Sequence, residues 1–290
     1  MRHLKLKLLT GAALSVVFAH GVFAADLPVK APVLKPLPAP LYNWTGFYVG
    51  GNFGFSYGQS DVTVGSLAFG GFGAAGGSEN LRPNGVIGGL QAGYNWQSSR
   101  NWVWGLETDF QWSGQQDSGP RSTNFDVLVG GGTAVGTASA TVESKLSWFG
   151  TVRGRIGFVA DSNPDVLWYG TGGLAYGRVK TSGSASMTGT FTNFSNCEGL
   201  GCPISGTLSL SDAQTRLGWT LGVGVEGSIA NKWTWKVEYL YVDLGTASGT
   251  IPVSGTACTP GCTSFAGTAT YSNRFTDNVF RFGVNYRFGP

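Results

Sequence analysis

Two carboxylates spaced two residues apart, Glu107 and Asp109, are the first side chains in this sequence that could do chemistry. A pair of acids whose surroundings push their pKa values apart is the minimum for general acid and base work. The same chain carries Arg153 and Arg155, Lys236 and Glu238, and further charges at Lys145, Arg216, Glu226, Arg281 and Arg287. A guanidinium beside a carboxylate holds it ionised, which opposes the raised pKa an acid catalyst needs. Four cysteines offer a second chemistry, Cys197 and Cys202 in CEGLGC and Cys258 and Cys262 in CTPGC. In an oxidising compartment disulfides are the default, with Cys197 to Cys202 and Cys258 to Cys262 favoured and a link between the two segments as the alternative. A four-thiolate metal site is disfavoured because neither spacing is the short CxxC knuckle. Gly71, Gly73 and Gly76 satisfy GxGxxG, but no helix follows, and the motif has phosphate-binding mechanics only at a strand-to-helix turn. The sequons at Asn43 and Asn193 are read as chance.

The setting of these residues narrows the choice. Residues 1–24, MRHLKLKLLTGAALSVVFAHGVFA, place Arg2, Lys5 and Lys7 before an apolar run and end on small residues, the pattern of a cleaved signal peptide. Both histidines, His3 and His20, lie inside it. Residues 25–290 therefore have no Ser-His-Asp or Cys-His catalysis and no proximal-His haem site open to them. Taking the three signal-peptide cations from the 19 basic residues leaves a balance with the 16 acidic ones. That removes any electrostatic case for nucleic acid. Residues 25–42 carry five prolines and read as an extended periplasmic tether, leaving 43–290 as one domain.

The elements that must position the charges are strands. Period-2 segments recur at about 44–60, 84–97, 102–115, 142–159, 167–181, 214–229, 233–249 and 276–288, and none has helical periodicity. The connections between them run about 23, 4, 26, 7, 32, 3 and 26 residues, so long and short alternate. An up-and-down meander with one plain and one elaborate end produces this, as outer-membrane barrels do with short periplasmic turns and long outside loops. On the third segment Trp102, Trp104, Leu106, Phe110 and Trp112 share a face opposite Glu107, Asp109 and Gln111; on the fourth, Leu146, Trp148, Val152, Ile156 and Phe158 oppose Lys145, Arg153 and Arg155. In a membrane barrel the apolar face meets lipid and the charges turn inward. Aromatic residues at segment ends, Trp44, Phe47, Trp96, Trp102, Trp104, Trp233, Trp235, Tyr286 and Phe288, then form an interfacial girdle. A secreted soluble barrel of the lipocalin kind is the alternative.

NWTGFYVGGNFGFSYG (43–58) after the Pro-rich leader, GGLQAGYNWQ (88–97), SWFGTVRGRIGF (147–158), LWYGTGGLAYG (167–177), WKVEYLYVDLG (235–245) and the ending NVFRFGVNYRF resemble the small RopB-type outer-membrane proteins of alphaproteobacteria. The resemblance implies an eight-stranded antiparallel up-and-down transmembrane β-barrel in the cell outer membrane, a surface structural component with some relatives implicated in haem binding or host contact. Such chains usually end on an aromatic residue read by the barrel-assembly machinery, whereas here Phe288 precedes Gly289 and Pro290.

An eight-stranded barrel has room only for side chains or one small ligand. Lys145, Arg153, Arg155, Arg216, Lys236, Arg281 and Arg287 are thus expected to neutralise Glu107, Asp109, Glu226 and Glu238 inside a plugged lumen, because an unpaired buried charge costs several kcal/mol. The expected function is a non-enzymatic monomeric barrel without cofactor or metal, surrounded by outer-membrane lipid and lipopolysaccharide. The rivals are a narrow porin, in which the cations line an ion path, a surface adhesin or haem receptor working through the loops, and an outer-membrane hydrolase or acyltransferase.

Overall fold

A computed structural model describes residues 42–65, 67–69, 72–74, 77–129, 132–192, 201–230, 232–259 and 261–288. The signal-peptide and tether expectations, and Cys197 with Asn193, lie outside these residues. Among them are eleven strands: β1 (Gly46–Val64), β2 (Leu67–Phe69), β3 (Phe72–Ala74), β4 (Gly77–Leu81), β5 (Asn84–Gln97), β6 (Trp102–Val129), β7 (Gly132–Ala160), β8 (Asn163–Thr192), β9 (Cys202–Ala230), β10 (Trp233–Thr259) and β11 (Gly261–Arg287). Successive long strands pair antiparallel, and β11 returns to β1 from Tyr48↔Arg287 to Val64↔Tyr271, which closes the sheet into an up-and-down barrel. Closure leaves the waist without the unpaired edge that makes open sheets aggregate.

The closed sheet counts nine strands where eight were expected. Residues 77–97 form two of them, β4 and β5, lying end to end along β1 and separated by Arg82 and Pro83. Proline has no N–H to give a ladder, so the stretch breaks there.

The four long loops are a larger correction. Three of them are hairpins that continue the barrel strands: β6 and β7 pair out to Val129↔Gly132, β8 and β9 to Phe191↔Cys202, and β10 and β11 to Thr259↔Gly261. Stretches such as TASATVE and TSGSASMTGTF alternate Ser or Thr with Ala, Gly or Val, and so lack the contrast between apolar and polar faces that marks a half-buried strand. Threonine nevertheless suits a pleated backbone, and within each hairpin the two strands supply one another's ladder partners. Strands of 27 to 30 residues result, against about 9–11 needed to cross a bilayer.

Two register slips meet at one point of β7 and exchange its faces, while β6 keeps its alternation, with Gln111 and Gln115 both buried. The β6–β7 register slips between Trp112 and Gln115, and the β7–β8 register between Leu146 and Trp148. A slip of one residue exchanges the inner and outer sets beyond it. Leu146, expected against lipid, is therefore buried, and Lys145, expected in the lumen, faces outward beside buried Ser144.

Candidate functional site

Alternation along five strands delivers charged side chains to one level of the barrel interior. β6 contributes Glu107 and Asp109, β7 Arg153 and Arg155, β9 Glu226, β10 Lys236 and Glu238, and β11 Arg281, all at most 4% exposed. Arg153 is the hub. Its Nη2 lies 2.5 Å from Glu107 and 2.9 Å from Asp109, and its Nη1 3.1 Å from Glu238. Arg281 bridges Glu238 at 2.5 Å and Asp109 at 3.0 Å. Lys236 reaches Glu107 at 2.7 Å, and Arg155 joins Glu226 at 2.7 Å. Four carboxylates thus face four cations, and the cluster is neutral.

Hydroxyls supply further bonds to the carboxylates, while Asp109 Oδ1 and Arg281 Nη1 are buried without a hydrogen-bond partner among the described residues. Tyr48 on β1 donates to Glu107 (2.7 Å), Tyr169 on β8 to Glu238 (3.0 Å), Thr151 to Asp109 (2.7 Å) and Thr234 to Glu226 (2.6 Å). Arg155 also lies over the Tyr169 ring at 4.0 Å. These bulky groups fit because inward positions beside them are glycine: a Cβ on Gly93 would fall against the Tyr48 hydroxyl, and one on Gly224 against the Tyr169 ring. Each carboxylate contacts at least one cation, so none stands as an unpaired proton acceptor.

Apolar layers bound the cluster at both ends, which the sequence reading did not foresee. Towards the short turns lie Trp44, Val103, Val159, Leu167 and Tyr169. Trp44 is a correction: it is fully buried and donates from Nε1 to the Pro164 carbonyl at 3.2 Å, instead of standing in a girdle. Its place at the chain's entry to the barrel turns it into the mouth. On the other side lie Ile87, Leu146, Phe149, Val179, Leu240, Val242, Phe275 and Val279. Only their burial distinguishes these inward side chains from the equally apolar outward ones.

Two expected members of the cluster are buried elsewhere. Arg287 sits at the turn-side mouth, donating to the Asn43 and Thr45 carbonyls at 2.7 and 3.0 Å and covering the Tyr42 ring at 4.9 Å. Arg216 lies beyond the apolar belt and donates to the Asn273 carbonyl at 3.0 Å. Higher still, Tyr271 donates to Asp212, and burial together with that bond pushes the Tyr271 hydroxyl up to about 12. Cys202 is disulfide-bonded, and Cys258 and Cys262 are register partners across the β10–β11 turn.

Outside, aromatic residues form two belts. Phe47, Trp96, Trp102, Trp233 and Phe288 are exposed near the short turns, with Tyr286 and Trp235 half-buried beside them and Trp104 one step further up β6. Phe288 closes this belt: its N–H donates to the Phe47 carbonyl at 2.8 Å, and its ring stands 5.8 Å from that of Phe47. Tyr57, Trp112, Trp148, Tyr176, Trp219 and Tyr241 make the second belt, in which Phe110, Trp148 and Tyr176 form a chain of ring contacts at 5.6 and 6.2 Å. Between the belts Leu90, Leu106, Val152, Leu174, Leu221 and Phe282 are exposed.

A closed antiparallel barrel with an apolar, twice-girdled exterior and an ion-paired interior defines an integral membrane barrel of the outer-membrane class. Residues 14–288 match the family described as outer membrane protein beta-barrel domain, and the chain belongs to that family. It is 39% identical over 236 residues to the 31 kDa outer-membrane immunogenic protein of Brucella melitensis, covering 81% of this chain and 85% of the relative. It is 32% identical over 220 residues to the 22 kDa outer membrane protein of Rhizobium leguminosarum bv. viciae, covering 76% and 69%. Among solved structures, OprG from Pseudomonas aeruginosa overlaps 84% of this chain and 98% of its own at 13% identity, with a TM-score of 0.36. The protein is an alphaproteobacterial-type outer-membrane β-barrel and resides in the outer membrane, among its lipids and lipopolysaccharide.

Proposed function

We propose that the protein is a sealed, non-enzymatic structural barrel of the cell surface whose long hairpins make the outward contacts. Counting β4 and β5 as one interrupted stave makes it eight-stranded. The observation that carries the reading is the stacking inside the waist, where a neutral ion cluster lies between two apolar layers. An ion crossing it would leave water twice, at a cost of several kcal/mol each time. This argues against the narrow porin. The absence of histidine from 25–290 and the pairing of each cluster carboxylate argue against a hydrolase. The word immunogenic in the name of the Brucella relative fits hairpins that stand clear of the membrane.

Purified protein in planar bilayers is expected to give no stepwise conductance, and reproducible unitary steps would overturn the reading. Residues 1–24 act as a cleaved signal peptide and 25–42 as the tether, and a Cys197 to Cys202 and a Cys258 to Cys262 bond tie the hairpin tips. The barrel-assembly machinery reads the strand ending at Phe288, and the barrel works as a monomer. Heat-modifiable gel migration of the membrane fraction checks the barrel itself.

A further inference from the structure

We infer that Lys145, Arg178 and Lys180 form a binding site on the outer wall of β7 and β8 for the phosphate groups of the outer-leaflet glycolipid. Three observations meet there. Lys145 and Lys180 are direct register partners, and both point outward, next to buried Ser144, Leu146, Val179 and Thr181. Like charges placed opposite each other on one face of a sheet repel, so the pairing is unfavourable unless an anion lies between them. Arg178 stands two residues from Lys180 on the same face and is exposed.

Level comes second. Arg178 is paired with Trp148 and follows Tyr176 by two residues, so the cations begin one step above the outer aromatic belt. In a bilayer that is the headgroup depth, reached by acyl chains below and sugars above. Above the cations, Ser139, Ser186 and their neighbours carry the uncharged hydroxyl surface of the hairpin.

The third observation is that Lys145 faces outward because of the bulge between Leu146 and Trp148, without which its side chain would enter the lumen. From the flanking strands the cations meet Gln116 on β6 and Ala213 and Thr215 on β9, all uncharged. The nearby carboxylate is Glu143, two residues along β7, which accepts from Ser182 at 3.5 Å. Lysine and arginine in this arrangement bind a phosphate by charge-assisted hydrogen bonds, the arginine with a fork that fits two of its oxygens.

The site rests on the outer-membrane location and not on the sealed lumen, so conductance results leave it untouched. The test uses the full protein in detergent, titrated with bisphosphorylated lipid A, with the same lipid after phosphatase treatment, and with inorganic phosphate as competitor. Wild type should bind bisphosphorylated lipid A at least about tenfold more tightly than the dephosphorylated form, and K145Q/R178Q/K180Q should lose that preference while keeping heat-modifiable migration. R100Q, on a turn at the opposite end, should behave as wild type. Equal binding of the two lipids by wild type, or an unchanged preference in the triple variant, overturns the site. Complete competition by inorganic phosphate at millimolar concentration overturns the assignment to a lipid. If the triple variant does not fold, R178Q alone and the two lipids on wild type still decide the matter.

Discussion

The waist of the barrel and the hairpins above it are built from the same strands and cohere in different ways. In the waist every long strand has a ladder on both edges, and the interior is filled by a charge cluster tied to side chains from all around the wall. Above it two seams open. The β5–β6 ladder stops at Asn84↔Gln116, and β4 pairs only with β1. The β9–β10 register jumps from Asp243↔Trp219 to Val253↔Leu208. No charge cluster spans the interior there among the described residues, and the inner face holds a small apolar cluster of Leu210, Ile251, Val253, Ala269 and Tyr271, with the Tyr271–Asp212 bond and Arg216 beside it. The contrast shows that strand pairing can be carried well beyond the bilayer by β-tolerant residues, whereas cohesion across the lumen needs side chains long enough to meet.

The largest expected effect comes from the hub of the waist. Arg153→Met removes one cation from three carboxylates and leaves their charge buried, at a cost of about 3–5 kcal/mol. The unboiled gel band should convert at a clearly lower temperature, and an unchanged conversion curve would show that the cluster does not brace the wall. Next comes Gly93→Ala, whose methyl group must displace the Tyr48 hydroxyl from Glu107; the expected loss is about 1–3 kcal/mol in urea unfolding from detergent. A variant as stable as wild type would mean that the interior has slack.

The seams sharpen the comparison more gently. Hydrogen exchange should be faster over residues 209–218 of β9, which face the gap, than over 219–226, which pair on both sides. Equal protection would close the seam in solution. The smallest effect is expected from Arg121→Ala, which removes the 2.5 Å ion pair to Glu79 across the β4–β6 seam. Exposed pairs of this kind contribute up to about 1 kcal/mol, and the thermal midpoint should move little.

Much of the waist was legible in the sequence because alternation is strict there. The inward set of β6, Glu107 and Asp109, and that of β11, Arg281 and Arg287, follow from parity alone. Parity fails beyond a bulge, and nothing in KLSWF announces one; this is why Leu146 and Lys145 changed faces. The hairpins escaped because Ser and Thr on one face and Ala and Gly on the other give no hydrophobic contrast. Trp44 escaped because a tryptophan beside a membrane mouth is expected outward, and only the space left by Val103, Val159 and Leu167 draws it in.

The pairing of β1 with β11 joins residues more than 200 positions apart, as the Ser56 to Asp277 bonds do. Synthesis must finish before the wall can be completed, so a polypeptide cut short at any point upstream presents two raw margins at once. Completion of the wall therefore depends on the final strand meeting the first, whatever the segments between them have already formed.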